Sequence, residues 1–242
     1  MQVIKEDLDS IAFGSSILKI DEIDLTINFK DFEKKYIDDF NPLYVYSKVP
    51  IEELEKIHYL ENNGFNFVET QFKMIKRLFK MEDMTLFHGE YELELAKESD
   101  LPLLHSLSDK ILQVDRMLID PKLNNKDAQK RYHLYIDKSY YTEDENLFKL
   151  VHIPTQSIVG FHSDKIIDSK NILFFIGGIV PEYHNTGANF ALEYAVFNYF
   201  YERGFKSITT HIGAHNYKII NFEMRTVGFK PKQTYVILRK VF

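Results

Sequence analysis

Residues 171–205, NILFFIGGIVPEYHNTGANFALEYAVFNYFYERGF, hold the pattern on which the fold turns. The apolar run 172–180 reads as a strand, with the pair Gly177-Gly178 near its end and Pro181 closing it. A polar turn over 182–186 follows. Gly187 and Ala188 then open a long helix that runs to Arg203 and stops at Gly204. The first-turn amides of a helix lack intrahelical partners and sit at the positive end of its dipole, so they bind anions. Small residues at Gly187 and Ala188 would let a phosphate approach that backbone closely.

Working outward, the periodicity predicts strands over 147–153, 157–162, 207–212 and 234–240, and helices over 101–113, up to about 139, and over 217–226, the last stopped by Gly228. Alternation of this kind is α/β. Upstream, ILKID, PLYVYSKV and FNFVETQFKMI read as strands. A helix over 51–62 enters at Pro50, places Leu54, Ile57 and Leu60 on one face, and ends at Asn62-Asn63-Gly64. A boundary falls near 87–90, which divides the chain into units 1–87 and 88–242. Segments 60–77 and 224–240 share the order helix, Gly-Phe, Thr, apolar strand, basic residues. That echo is either a common helix–Gly–strand arrangement or the mark of a first unit that partly copies the second.

The 242 residues are 45% apolar, enough for a core, and carry 30 Lys and Arg against 36 Asp and Glu, a net charge of −6. No overall positive field exists to hold a polymeric nucleic acid. The chain has no Cys, which removes thiolate and disulfide chemistry, and no His pair has H-E-x-x-H spacing, so no metal is expected. The opening MQVIKEDLDS is too charged for a secretory signal, and no apolar run approaches the ~20 residues of a membrane span. A cytoplasmic protein without membrane partners is expected, and a homodimer is left open.

The order strand, Val180-Pro181-Glu182-Tyr183, Gly187, helix resembles the coenzyme A pyrophosphate loop of the GNAT acyltransferases, Arg/Gln-x-x-Gly-x-Gly/Ala. Here His184 and Asn189 stand at the outer positions and Gly187 at the centre. Asn216, a helix, Gly228-Phe229 and a last strand are similar to the family's N-x₆-Y-x₃-G-F segment with one residue added. Leu8-Asp9-Ser10-Ile11-Ala12-Phe13-Gly14, Gly64-Phe65 to Thr70, and Asp115-Arg116 to Pro121 resemble motifs of the branch that acylates dTDP-linked amino-dideoxy sugars, although that branch's first motif carries a Trp absent here. The resemblance implies a GNAT fold, a mixed central sheet flanked by helices, with a smaller N-terminal lobe. It also implies N-acyl transfer from acyl-CoA to the amine of a nucleotide-linked sugar for surface polysaccharide synthesis. A GNAT acting on a peptide or protein amine, and a module that binds CoA or a nucleotide without turnover, are the alternatives.

For the site, the resemblance assigns CoA to Ile179, Val180, His184, Asn185, Thr186, Gly187, Ala188, Asn189 and Asn216, with the thioester between 178–180 and 210–212. Phe174 to Val180 offers no ionisable base, so His162, His211 and His215 are the imidazoles to weigh, with His211 preferred because it lies within the strand bordering the gap. The proton donor is Glu223, Met224 or Tyr217, depending on where the added residue falls; of these Met cannot donate, and Glu can only if buried. Arg116, Lys122, Lys126, Lys130 and Arg131 form a local basic cluster for a diphosphate, with Tyr132 and Tyr135 to stack a base or sugar and His162 nearby.

Overall fold

A computed structural model describes residues 1–242. The first unit contains β1 (Gln2–Lys5), α1 (Asp7–Phe13), β2 (Ser16–Asp21), α2 (Phe29–Phe40), β3 (Pro42–Pro50), α3 (Leu54–Asn62) and β4 (Asn66–Arg77). A linker then leads to β5 (Tyr91–Leu95), α4 (Leu101–Ile111), α5 (Arg116–Ile119), α6 (Asn125–Tyr141), β6 (Glu145–His152), β7 (Ser157–Ile166) and β8 (Asn171–Ile179). The chain continues through α7 (Ala188–Glu202), β9 (Ser207–Gly213), α8 (Tyr217–Phe222) and β10 (Lys230–Val241). Side chains with short polar heads start three of the helices. Asn28 and Asn124 each accept a backbone N–H two residues on, and Asp115 accepts from Met117 and Leu118. No helix is long and apolar enough to cross a membrane.

All ten strands form one mixed sheet in the order β1-β2-β3-β10-β4-β9-β8-β7-β6-β5. The pairs β2–β3 and β8–β9 are parallel and the rest antiparallel. The two echoing segments end in β4 and β10, which lie side by side at the centre, yet each is inserted next to the other unit's parallel pair: β4 against β9, β10 against β3. The helices preceding them both stop at a glycine in the left-handed region, Gly64 (φ 87°) and Gly228 (φ 86°).

Leu18, Ile20, Val45 and Val49 of β2 and β3, with Leu238 of β10, share one face of the sheet and pack under α2 and α3 through Phe29, Tyr36, Ile57 and Leu60. On the opposite face Ile17, Tyr44, Tyr46 and Ile237 meet Met117 of α5 and Ala128 of α6. A larger core joins β6–β9 to α4 and α7. The helix predicted over 51–62 begins at Leu54, because β3 extends through Pro50 and turns before helical bonding starts. The helix predicted over 217–226 is α-helical only to Phe222. Residues Glu223–Val227 form a π-helical turn, which accommodates one added residue before Gly228.

Arg131, expected to meet substrate, is 2% exposed and wholly engaged inside the protein. Its guanidinium pairs with Asp115 and lies 3.6 Å from Asp9, while Nε donates to the Ala128 carbonyl at 3.0 Å. Tyr132 donates its hydroxyl to Asp115, and Tyr135 to Asp9. These three residues therefore tie α1 to α6 and leave the substrate-binding set. Lys122, Lys126 and Lys130 are exposed to solvent. Removing one member of a buried ion pair strands its partners without compensation. Arg131→Ala is expected to lower the unfolding free energy in urea by about 3–5 kcal/mol.

Candidate active site

Strands β8 and β9 pair only at Asn171–Ser207, Ile172–Ile208 and Leu173–Thr209. Beyond that point β8 runs on to Ile179 and β9 to Gly213 without bonding each other, so a wedge opens between 174–179 and 210–213. On its other edge β8 stays paired to β7, with a register shift that leaves Phe175 unmatched. Gly177 and Gly178 follow that bulge. A Cβ on Gly177 would lie 2.7 Å from the Phe161 carbonyl oxygen of β7, and one on Gly178, whose φ is 153°, would lie 2.6 Å from Ile111 of α4. The glycine pair thus keeps β8 pressed against both neighbours while β8 makes no backbone bond to β9 along the wedge.

At the wide end, the Val180 N–H bonds the Val159 carbonyl, and the chain turns through Pro181–Tyr183 into the loop. Asn185 (φ 65°) and Gly187 (φ 89°) both take the left-handed conformation, and Gly187 is the cap of α7. Thr186 donates to the Tyr183 carbonyl and touches the Tyr91 hydroxyl at 2.9 Å. His184 hydrogen-bonds the Ile179 carbonyl at 3.1 Å, so its ring braces the loop against β8. The first-turn amides of α7 have no intrahelical partners, and the Phe87 ring from the linker lies 3.0 Å from where a Gly187 Cβ would stand. Asn216 occupies the start of α8, its N–H bonded to the Gly213 carbonyl.

The imidazoles separate. His162 is 5% exposed, its ring 4.1 Å from that of Phe174 and its Nε2 without a hydrogen bond, 3.8 Å from the buried Asp164 carboxyl. Burial lowers its pKa to about 3, and this core position takes it out of the substrate-binding set. His211 faces Tyr235 and pairs across strands with Lys73; burial, Lys48 and Lys73 bring it to about 3, so it is neutral at ordinary pH and a weak base. Tyr217 is 64% exposed at the start of α8, and Met224 is exposed as well, so neither suits a buried proton donor. Glu223 is buried in the π-helical turn near Glu193 of α7 and Lys76 of β4, and burial together with Glu193 raises its pKa. Glu193 itself is raised by burial to about 8.

One carboxyl was not singled out in the sequence. Glu69 of β4 is 4% exposed, 3.5 Å from His215, and a Cβ on Gly213 would lie 2.5 Å from its Oε2. Burial pushes Glu69 up to about 7 against the pull of the Arg116 guanidinium. It is therefore the group near the end of β9 whose ionisation falls where a general base works at neutral pH.

No protein-family model matches the sequence, and no curated protein matches it. Solved structures share its fold. A GCN5-related N-acetyltransferase from Sphaerobacter thermophilus superposes with a TM-score of 0.63 at 15% identity, covering 88% of this chain and 66% of its own, so this chain spans just under two thirds of that protein. A tandem GNAT protein from the clavulanic acid biosynthesis pathway gives 0.63 at 11% identity over 94% of this chain and 76% of its own. A GCN5-related glucosamine N-acetyltransferase region of a fungal multi-domain β-N-acetylglucosaminidase gives 0.66 at 10% identity over 99% of this chain and 31% of that one. The mixed sheet flanked by helices is the GNAT fold.

The Glu193–Glu223 pair makes stability depend on pH. A carboxyl that keeps its proton to about pH 8 when folded, but releases it near 4.5 when unfolded, loses stability as pH rises through that window. Glu193→Gln is expected to match the wild-type melting temperature near pH 4.5 and to exceed it at pH 8, by roughly 2–4 °C for each kcal/mol recovered.

Proposed function

We propose that this protein, built on the GCN5-related N-acetyltransferase fold, moves an acyl group from acyl-coenzyme A to the amine of a small molecule. The observation that carries this reading is the one-sided opening of β8 from β9, ending at the anion-binding turn before α7. Residues 176–180 offer the backbone edge for the pantetheine arm, and the amides of Gly187, Ala188 and Asn189 the site for a pyrophosphate. The acyl thioester supplies an activated carbonyl with a thiolate leaving group. Glu69 takes the proton of the attacking ammonium, Glu223 returns one to sulfur, and the wedge holds the reactants in line.

For the acceptor we propose a nucleotide-linked amino-dideoxy sugar. Three motif resemblances support it, together with the fold shared with a region named for glucosamine N-acetylation. Two motif residues, Asp9 and Asp115, hold Arg131, which leaves Arg116 as the cation of the expected cluster that is neither paired nor exposed to solvent. We also read units 1–87 and 88–242 as related lobes, of which the second alone carries a thioester site. The mirrored strand order supports this, as does the β2–β3 ladder, which continues from Ser16–Pro42 to Ile20–Ser47 without opening a wedge.

Thiol release, measured by crossing several acyl-CoAs with dTDP-amino sugars and with a peptide amine, tests the reading directly. Gly187→Glu, which adds bulk and negative charge at the turn, is expected to abolish CoA binding in calorimetry, and unchanged affinity would remove the phosphate-turn assignment. Glu69→Gln is expected to cut kcat about 10²- to 10⁴-fold and erase the step near pH 7 from the pH–rate profile. His211→Ala, removing an imidazole already neutral across that range, is expected to cost less than tenfold and to leave the profile in place.

A further inference from the structure

In antiparallel strands, directly paired residues share a sheet face. Lys48 of β3 pairs with Ile237 of β10, and Ile237 with Glu69 of β4; one row further, Tyr235 pairs with Gln71 and Gln71 with Gly213; one more, Lys73 pairs with His211. These rows put Lys48, Lys73, Gln71, Glu69, Tyr235 and His211 on one face at the centre of the sheet. Arg116, the first residue of α5, lies over the same face with its guanidinium 4.5 Å above the Tyr46 ring.

None of these three cations forms an ion pair. Lys48 donates to Gln71 at 2.6 Å and stands 4.4 Å from the Tyr235 ring centre, but it forms no ion pair, and neither do Lys73 and Arg116. The Arg116 Nε is enclosed with no hydrogen-bond partner at all. In a chain with an excess of acidic residues, other inward-facing cations are paired: Lys76 with Glu82, Lys149 with Asp100, Arg239 with Asp120. Burial, with repulsion from Arg116 and Lys73 among others, lowers the Lys48 ammonium to about 7, and Lys48 and Lys73 in turn depress His211. Lys48, Lys73 and Arg116 share this face with Glu69, while Asp9 and Asp115 act on Arg116 from the helix side without pairing with it. Such crowding is unfavourable in the free protein and is relieved by a multiply charged anion rather than by a single carboxylate.

We infer that Lys48, Lys73 and Arg116 form a subsite for the phosphate or diphosphate group of the acceptor, between the aromatic rings of Tyr46 and Tyr235. The inference rests on the acyl-transfer reading above and adds the residues that select a phosphorylated acceptor. The first unit supplies both lysines, so it reads the acceptor. Coenzyme A also bears phosphates, but its turn lies at the head of α7, whereas Lys48 and Lys73 sit on strands beyond β9, on the side away from the open edge of β8.

Calorimetry of the full chain with pyrophosphate, dTDP and CoA separates the two sources. Lys48→Gln/Lys73→Gln is expected to weaken pyrophosphate and dTDP by about tenfold or more per lysine, with CoA affinity within about twofold of wild type. Lys48→Arg/Lys73→Arg, with a melting temperature checked against wild type, is expected to retain dTDP binding and so to separate lost charge from lost structure. Equal weakening of CoA, unchanged binding of dTDP and pyrophosphate to the Gln variant, or a wild-type protein that binds neither would each overturn the subsite. Thiol release onto an amine without any dTDP affinity would overturn the subsite alone. Affinity for dTDP without any for CoA would instead overturn the acyl-transfer reading.

Discussion

The antiparallel contact between β4 and β10 at the middle of the sheet is the constraint on which the remaining architecture depends. Each strand follows a helix and a left-handed glycine, and each fills the slot beside the other unit's parallel pair. Because β4 bonds β9 from Gln71–Gly213 to Arg77–Ser207, β9 is held along its full length on one edge. It can therefore separate from β8 on the other edge without coming loose from the sheet. The wedge exposes backbone donors and acceptors that water or a ligand must satisfy, and a fully held β9 keeps those groups at a fixed spacing.

Charge is arranged in two opposite ways on the same sheet face. Where α5 and α6 cover the sheet, buried charges form close pairs: Arg131 with Asp9 and Asp115, Asp120 with Arg239 at 2.7 Å. Lys48, Lys73 and Arg116, by contrast, form no ion pair. Buried pairs tie the units into one body, and the unpaired cluster lies among the strands so tied. Rigid surroundings keep like charges close that a looser fold would let drift apart.

Much of this was legible in the sequence, and the rest failed for identifiable reasons. Strand, turn and helix over 171–205 could be read because glycine, proline and apolar runs act locally, and the structure reproduces β8, the turn and α7 there. The residue added before Gly228 left the proton donor open; the structure absorbs it as a π-helical turn that starts at Glu223. Glu69 lies in FNFVETQFKMI, whose pattern marks a strand but not which of its polar residues is buried. Packing against segments distant in sequence buries Glu69 on one face and Met74 on the other, and no local pattern reports it. Arg131 misled for a related reason. A basic residue in a polar stretch looks solvated until α1, more than a hundred residues earlier, brings Asp9 to it.

The central place of β10 also bears on how the polypeptide reaches this arrangement as it is made. Since β10 follows the other nine strands in the chain, β3 and β4 have no strand between them until residues 230–241 have been synthesised. The first unit emerges early with two strand edges awaiting a late arrival, and such edges attract other chains. Sequence-distant closure of this kind slows folding, because loop-closure entropy is lost before the contacts that offset it form. The nascent first unit therefore depends on being shielded, by chaperones or by rapid elongation, for as long as β10 is missing.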